Sequence, residues 1–434
     1  MAENRRETAT GEPLHMTRSL CPECLRQLRA AIVAHDDGSV WMERTCPDHG
    51  FFQAYIWPDA AHYLRFSELA LPAAAPKAMR PMTAPCPFSC GICTHHVRRP
   101  TQVGIELTQR CNLKCPVCFM SSKREDDELA AEDFRPIFET IRANAGDCGV
   151  NLTGGEPTVR PDLPEIVRIG HEAGISAIEI STNGLVLARD EEYLKALAAA
   201  GISGIYLQFD GTTPEPYLAT RGADLLQLKL QAIEACRAHG VQVVLAMTIV
   251  GGVNDDQIGD VVRFALDNND VIAGVGLQPA FESGRFEVRD AKPLTMGDVI
   301  FALEAQTGGL IRVDDVVPLG CSHPLCDAGT YLARVDGGFV PVTRGLSREE
   351  YRAAYDPRSP QGAVLWDIAA KRMPGFEGGL SLIIMDYMDR ANIDLERLEQ
   401  CSMFHATADG RLVPFCSSEL NDAQGNRIHS SLGR

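Results

Sequence analysis

The sequence predicts an α/β fold: an open partial barrel of six parallel strands, with a small metal-binding ribbon before it and an irregular, cysteine-bearing region after it. Three observations carry this expectation. From about Thr101, short β-rich runs alternate with helix-period stretches, a rhythm that builds a parallel sheet covered by helices. Six such units are too few to close an eightfold barrel. The 434 residues set a prior of about three folding units, and 45% apolar with 23% charged residues is the balance of a globular chain.

In chain order, the segment from about Leu20 to Leu71 holds CPEC at Cys21 to Cys24 and CPDHG at Cys46 to Gly50, with a hairpin expected through Asp36-Asp37-Gly38. Leu71 to Pro85 carries four prolines without periodicity and reads as a linker. Strands are expected at Val103 to Thr108, Gly149 to Thr153, Ala177 to Thr182, Gly204 to Phe209, Val241 to Val250 and Val275 to Gln278. Between them, Phe134, Phe138, Ile141 and Ala145 share one helix face, as do Leu226, Leu230, Ile233 and Cys236 before the stop at Gly240. Beyond about Gly309 the sequence turns Gly/Pro-rich, and Asn421 to Arg434 forms a polar tail. The expected division is a ribbon over 1–71, a linker with a cysteine segment over 72–100, the barrel over 101–308 and a last region over 309–434. No solenoid-type repeat is present.

Lys and Arg number 41 against 58 Asp and Glu, a formal net charge of −17. That charge repels phosphate backbones and argues against a nucleic-acid-binding zinc protein. No apolar h-region follows the polar start, and the most apolar runs are about ten residues, far short of the roughly 20 that span a bilayer. A reducing, cytoplasmic setting is therefore the default, and 15 cysteines there point to metal rather than disulfides.

The spacing CxxxCxxC occurs at Cys86, Cys90 and Cys93, and again at Cys111, Cys115 and Cys118, 25 residues later. The second copy follows the first expected strand, at the barrel mouth where such folds place chemistry. Three thiolates can hold three irons of a cubane and leave the fourth open to a substrate; a zinc knuckle with a fourth ligand from elsewhere is the alternative. Gly154-Gly155-Glu156-Pro157 ends the second expected strand, where glycines permit close approach to a ligand and the polar edge accepts from an ammonium group. At the N-terminus, Cys21, Cys24, Cys46 and His49 are spaced C-x2-C-x21-C-x2-H, suited to one tetrahedral ion, zinc or a mononuclear iron.

CxxxCxxC followed by GGEP on successive strand ends resembles the radical S-adenosylmethionine (SAM) superfamily. The resemblance implies a 4Fe–4S cluster on Cys111, Cys115 and Cys118, the catalytic centre, and SAM held by GGEP through its methionyl amine. It extends to STNG, QFDG, TRG, MTIVGGVND and LQPA, assigning Thr182, Asn183, Gln208, Asp210, Arg221, Thr248 and Gln278 to cofactor contacts; ordinary turns and helix caps are the alternative for each. Gln208 falls where Ser is common, and Val117 replaces an aromatic residue.

CPFSCGICTHH, CNLKCPVCFMSS, LQPAFESGRF, CSHPLC, DYMDRANIDLERLEQC and ADGRLVPFC together resemble the tetraether lipid synthase group and its relatives, the class D radical SAM methylases of pterin-like substrates. This implies one or two auxiliary 4Fe–4S clusters. Cys321, Cys326, Cys401 and Cys416 make one four-thiolate set. Cys86, Cys90 and Cys93 make an incomplete one, with Thr101 where relatives carry a fourth cysteine; that iron is open, held by His95 or His96, or supplied by Cys148. Cys236 reads as helix packing.

The implied activity is reductive cleavage of SAM to a 5′-deoxyadenosyl radical and abstraction of hydrogen from an unactivated C–H. C–C bond formation follows, either joining lipid alkyl chains or methylating a pterin-like ring. The substrate is a small molecule or a lipid, with peripheral membrane contact in the lipid case, and a flavodoxin- or ferredoxin-type reductant is required. A peptide-modifying radical SAM enzyme and a non-catalytic multicluster electron carrier are the alternatives.

Overall fold

The computed structural model describes residues 12–77, 79–122, 128–357, 363–407 and 409–429. Strands β1 (His15–Leu20), β2 (Gln27–Ala34), β3 (Val40–Cys46) and β4 (Gly50–Trp57) form an antiparallel sheet in that order. The hairpin between β2 and β3 turns where Asp36-Asp37-Gly38 predicts it. Gly38 takes φ +85°, the left-handed conformation glycine reaches without strain. Helix α1 (Ala60–Ser67) follows; Asp59 accepts from the His62 amide at 2.7 Å as its N-cap.

The next elements are β5 (Gln102–Glu106), β6 (Val117–Cys118), α2 (Arg135–Asn144), β7 (Gly149–Thr153), α3 (Leu163–Glu172), β8 (Ala177–Thr182), α4 (Glu191–Ala200), β9 (Gly204–Gln208), α5 (Pro214–Arg221), α6 (Leu226–Ala238), β10 (Val243–Ile249), α7 (Ile258–Asp267), β11 (Ile272–Pro279), β12 (Arg285–Phe286) and α8 (Met296–Gln306). The chain continues through β13 (Val317–Pro318), β14 (Asp327–Val335), β15 (Gly338–Pro341), α9 (Arg348–Ala354), α10 (Ala363–Arg372), β16 (Phe376–Met385), α11 (Leu395–Leu398), β17 (Met403–Ala406), β18 (Leu412–Pro414) and α12 (Phe415–Ser418).

All six expected strands are present, as β5, β7, β8, β9, β10 and β11, paired in parallel in that order. The C-terminal segment adds two more: β17 runs parallel to β5 on one edge and β16 parallel to β11 on the other. Antiparallel β18 flanks β17, and β14 flanks β16, so the curved sheet stays open. Alternation along each strand sorts the side chains. On β8, Ile178 and Ile180 are wholly buried among the helices, while Ala177, Glu179 and Ser181 face the barrel interior. Phe138 and Ile141 on α2 are also fully buried, each such side chain contributing roughly 1.5–3 kcal/mol.

Two expectations change. The proline-bearing segment after Leu71 packs under the barrel: Leu71 is buried with Leu319 and Tyr351, and the Ala74 carbonyl accepts from the Arg99 amide at 2.7 Å. On α6, Leu226 and Leu230 are only partly buried, and Lys229 takes the enclosed position beside Ile233 and Cys236. Among the described residues, no helix is long and apolar enough to cross a membrane.

Candidate active site

The Thr108–Cys118 loop leaves the end of β5 beside the turn that ends β7, and backbone contacts join the two. The Gly155 amide donates to the Thr108 carbonyl at 2.7 Å and the Glu156 amide to that of Arg110 at 2.8 Å. Only glycine fits there: a Cβ on Gly155 would lie 2.2 Å from the Arg110 oxygen, and one on Gly154 2.4 Å from the Thr108 oxygen. Glu156 is buried and fully engaged. Its Oε1 accepts from Thr182 Oγ1 at 2.6 Å and from the Thr158 amide at 3.1 Å; its Oε2 accepts from the Asn183 amide at 2.7 Å. The carboxylate thus ties the ends of β7 and β8 together, leaving backbone carbonyls of the turn to meet a ligand. Asn183 Nδ2 extends the tie to Asn112 in the cysteine loop, at 2.7 Å.

Across the mouth, Arg221 and Asp210 form a buried bidentate pair at 2.6 and 2.8 Å. Arg221 also donates to the Val117 carbonyl and Thr248 Oγ1, both at 3.0 Å. Burial pushes the Cys111 thiol up to about 11 and raises Cys115, against the pull of the Arg221 guanidinium. Enclosed thiols with so little compensating charge suit cationic metal, which deprotonates them. Lys229, which the periodicity of α6 gave no reason to single out, donates to the Asn183 carbonyl at 2.5 Å and Gln208 Oε1 at 2.6 Å; burial pushes it down to about 7.

A cavity of about 900 Å³ runs from this mouth into the barrel. Small-molecule sites span roughly 300–1,000 Å³, so there is room for a second molecule beside a cofactor. Cys111, Cys115 and Cys118 line it with Gly154, Gly155, Glu156, Thr182, Asn183, Gln208, Arg221, Thr248 and Gln278. Pro157 and Asp210 do not line it: Pro157 opens a short turn of helix, and Asp210 orients Arg221.

Ten of the other twelve cysteines gather in three places, while Cys148 and Cys236 stand apart. The ligand atoms of Cys21, Cys24, Cys46 and His49 all lie within 4.8 Å of one another. The 3.5 Å from Cys46 Sγ to His49 Nδ1 and the 4.0 Å between Cys24 and Cys46 match a tetrahedral ion with Zn–S near 2.3 Å. Cys326, Cys401 and Cys416 line a cavity of about 30 Å³ walled from the larger one by Met385, Tyr387, Met403 and Phe415, whose side chains line both. Cys321 does not line it; its thiol donates to Asp327 Oδ2 at 2.6 Å.

Cys86, Cys90 and Cys93 form the third group, where the neighbouring Cys86, against the opposing effect of burial and with help from His429 and Ser417, pulls the Cys90 thiol down. Ser417 Oγ lies 3.1 Å from Cys90 Sγ, and His429 Nε2 lies 2.8 Å from the Pro87 carbonyl. The candidate residues for the fourth position have these surroundings, with the His96 amide bonded to the Cys93 carbonyl at 3.0 Å. Thr101 bonds Ser402, His96 bonds the Cys401 carbonyl at 2.7 Å, Cys148 lines the far end of the large cavity, and exposed His95 lies 3.7 Å from Glu399. His429 was hidden in what reads as a polar tail.

Fold and site define an enzyme class: a barrel whose mouth brings a three-thiol loop against a glycine turn over a deep cavity. The Radical SAM superfamily matches residues 105–265, and the HMPTM N-terminal zinc ribbon domain matches residues 13–58. A 7,8-dihydro-6-hydroxymethylpterin dimethyltransferase of Methanocaldococcus jannaschii is 31% identical, covering 92% of both chains. A probable GTP 3′,8-cyclase of Thermococcus kodakarensis is 34% identical over 42% of this chain and 58% of its own. The crystal structure of Streptococcus suis SuiB bound to precursor peptide SuiA gives a TM-score of 0.42 at 20% identity, covering 49% of this chain and 47% of that one. The chain belongs to the radical SAM superfamily. Its N-terminal domain is a zinc ribbon, and it is a radical SAM enzyme.

Proposed function

We propose that the protein methylates a pterin-like ring by radical SAM chemistry. The carrying observation is the single cavity that joins Cys111, Cys115 and Cys118 and the glycine turn to a polar barrel interior. The pterin dimethyltransferase that matches nearly the whole chain favours methylation over lipid coupling or peptide modification.

In this reading the three thiolates hold a 4Fe–4S cluster and the turn from Gly154 holds SAM by its methionyl amine. When bound, these groups would supply the radical chemistry that opens an unactivated C–H, and the methyl carbon would come from SAM or from a separate one-carbon donor. The chain provides the setting. Glu156 fixes the two strand ends, Arg221 places a guanidinium beside Cys115, and Phe119, Phe281, Tyr387 and Phe415 pack into an aromatic wall along one side of the cavity. Cys326, Cys401 and Cys416, with Cys321 nearby, and separately Cys86, Cys90 and Cys93, serve auxiliary clusters, and a flavodoxin- or ferredoxin-type protein delivers electrons. The test is anaerobic incubation of the reconstituted enzyme with SAM, dithionite and 6-hydroxymethyl-7,8-dihydropterin, with SAM alone and then with a methylene-tetrahydropterin added as one-carbon donor, read by mass spectrometry. A methylated pterin is expected; SAM consumption with an unchanged pterin overturns the reading.

A further inference from the structure

Below the strand ends, the barrel interior is polar where packing alone would favour Val, Ile and Leu. His405, Gly104, Asn151 and Glu179 follow one another along a single rung across β17, β5, β7 and β8. The absent side chain at 104 leaves room for the His405 ring, which would lie 2.5 Å from a Cβ there. Asn151 Oδ1 accepts from Ser181 Oγ at 2.8 Å, leaving its amide hydrogens to donate. The Tyr206 hydroxyl, bonded by Gln278 Nε2 at 3.0 Å, completes this lining.

Glu179 is the unusual member. Burial raises its pKa, the neighbouring Gln102 side chain offsets this only in part, and among the described residues no basic group pairs with it. A carboxylate accepts at about four lone-pair positions, so one donor leaves most of its capacity turned to the cavity. An acceptor with spare capacity facing a cavity is a place where a ligand's donors can replace water. A matching ligand edge carries two adjacent N–H donors on a flat ring.

We infer that Glu179 is a substrate-recognition residue, taking the N–H and amino donors of a 2-amino-4-oxopyrimidine edge between its carboxylate oxygens, with Gln102 holding the carboxylate in place. This rests on the proposed pterin substrate and deepens it. Glu179 stands two residues before Ser181 on the interior face of β8, about 7 Å along the strand, and Thr182 and Asn183 follow at the mouth. A bicyclic ring anchored at Glu179 therefore extends toward the cofactor end of the cavity. A neutral Asn151 amide donor and the Tyr206 hydroxyl remain for its oxygen and nitrogen acceptors.

The test is equilibrium binding, with SAM present, of 6-hydroxymethyl-7,8-dihydropterin and of its 2-oxo counterpart to anaerobically reconstituted holoenzyme. The wild type is expected to prefer the amino compound by about tenfold or more. Glu179→Gln, its folding verified by iron and zinc content, is expected to bind the amino compound about tenfold to a hundredfold more weakly. Its preference should shift toward the 2-oxo compound, because the Gln amide can donate to that oxygen. Equal affinity of the wild type for the two compounds overturns the assignment and needs no variant. Unchanged pterin affinity in Glu179→Gln also overturns it, leaving the pterin substrate standing. Absence of any pterin binding to the wild type overturns both.

Discussion

Gly155→Ala tests how the glycine turn meets the cysteine loop. The added Cβ would lie 2.2 Å from the Arg110 oxygen, 2.7 Å from its carbonyl carbon and 2.8 Å from the Gln109 oxygen. All three atoms are backbone, so no side-chain rotation relieves the overlap. Relief takes a separation of about 1 Å, which breaks both hydrogen bonds that join the turn to Thr108 and Arg110. At about 0.5–1.5 kcal/mol for each bond, the loss is about 1–3 kcal/mol. It falls on the registry between the cysteine loop and the glycine turn, and at a reacting site a 1 Å error costs about a hundredfold in rate. The assay is SAM affinity by equilibrium dialysis and 5′-deoxyadenosine formation in anaerobically reconstituted protein. The control is Gly338→Ala, whose new Cβ would meet nothing nearer than the Val335 oxygen at 3.8 Å. We expect Gly155→Ala to retain zinc and fold while turnover drops about a hundredfold, and Gly338→Ala to match the wild type. Wild-type SAM affinity and turnover in Gly155→Ala would refute the reasoning.

Three further predictions follow from the same geometry. Asp210→Asn leaves the buried Arg221 guanidinium without its charge partner and should lower stability by about 3–5 kcal/mol, read by urea unfolding of the cluster-free protein; a loss within error would contradict a buried pair. Cys46→Ala should lose one zinc per chain while keeping its iron, measured by elemental analysis, because the ribbon site lies on its own sheet. Full reconstitution should reach about twelve irons per chain, and replacing Cys86, Cys90 and Cys93 by Ser should remove about four; about four in the wild type would contradict the auxiliary sites.

The central strands were readable because their buried faces are runs such as Ile178 and Ile180, bounded by turn residues, and because GGEP and CxxxCxxC fall on consecutive strand ends. The flanking strands were not. β17 is four residues long and β16 begins with Phe-Glu-Gly-Gly, so neither has a period of its own, and each becomes a strand only against the edge it covers. Lys229 reads as a solvated helix residue until the Asn183 carbonyl and Gln208 enclose its ammonium. His429 reads as part of a polar tail until its ring reaches Pro87. Asp210 follows β9 and Arg221 closes helix α5 rather than a strand, and nothing in one dimension distinguishes the cavity-lining guanidinium from the carboxylate that orients it. Cysteine spacing likewise could not tell that Asp327 engages Cys321 while Cys326, Cys401 and Cys416 share a cavity.

The most direct measurement is 5′-deoxyadenosine released from SAM by anaerobically reconstituted protein under dithionite, compared with Cys115→Ala prepared identically. SAM-dependent formation is expected in the wild type and none above background in the variant. Equal release from both, or none from a wild type with a full iron complement, would contradict the assignment of the cluster to Cys111, Cys115 and Cys118.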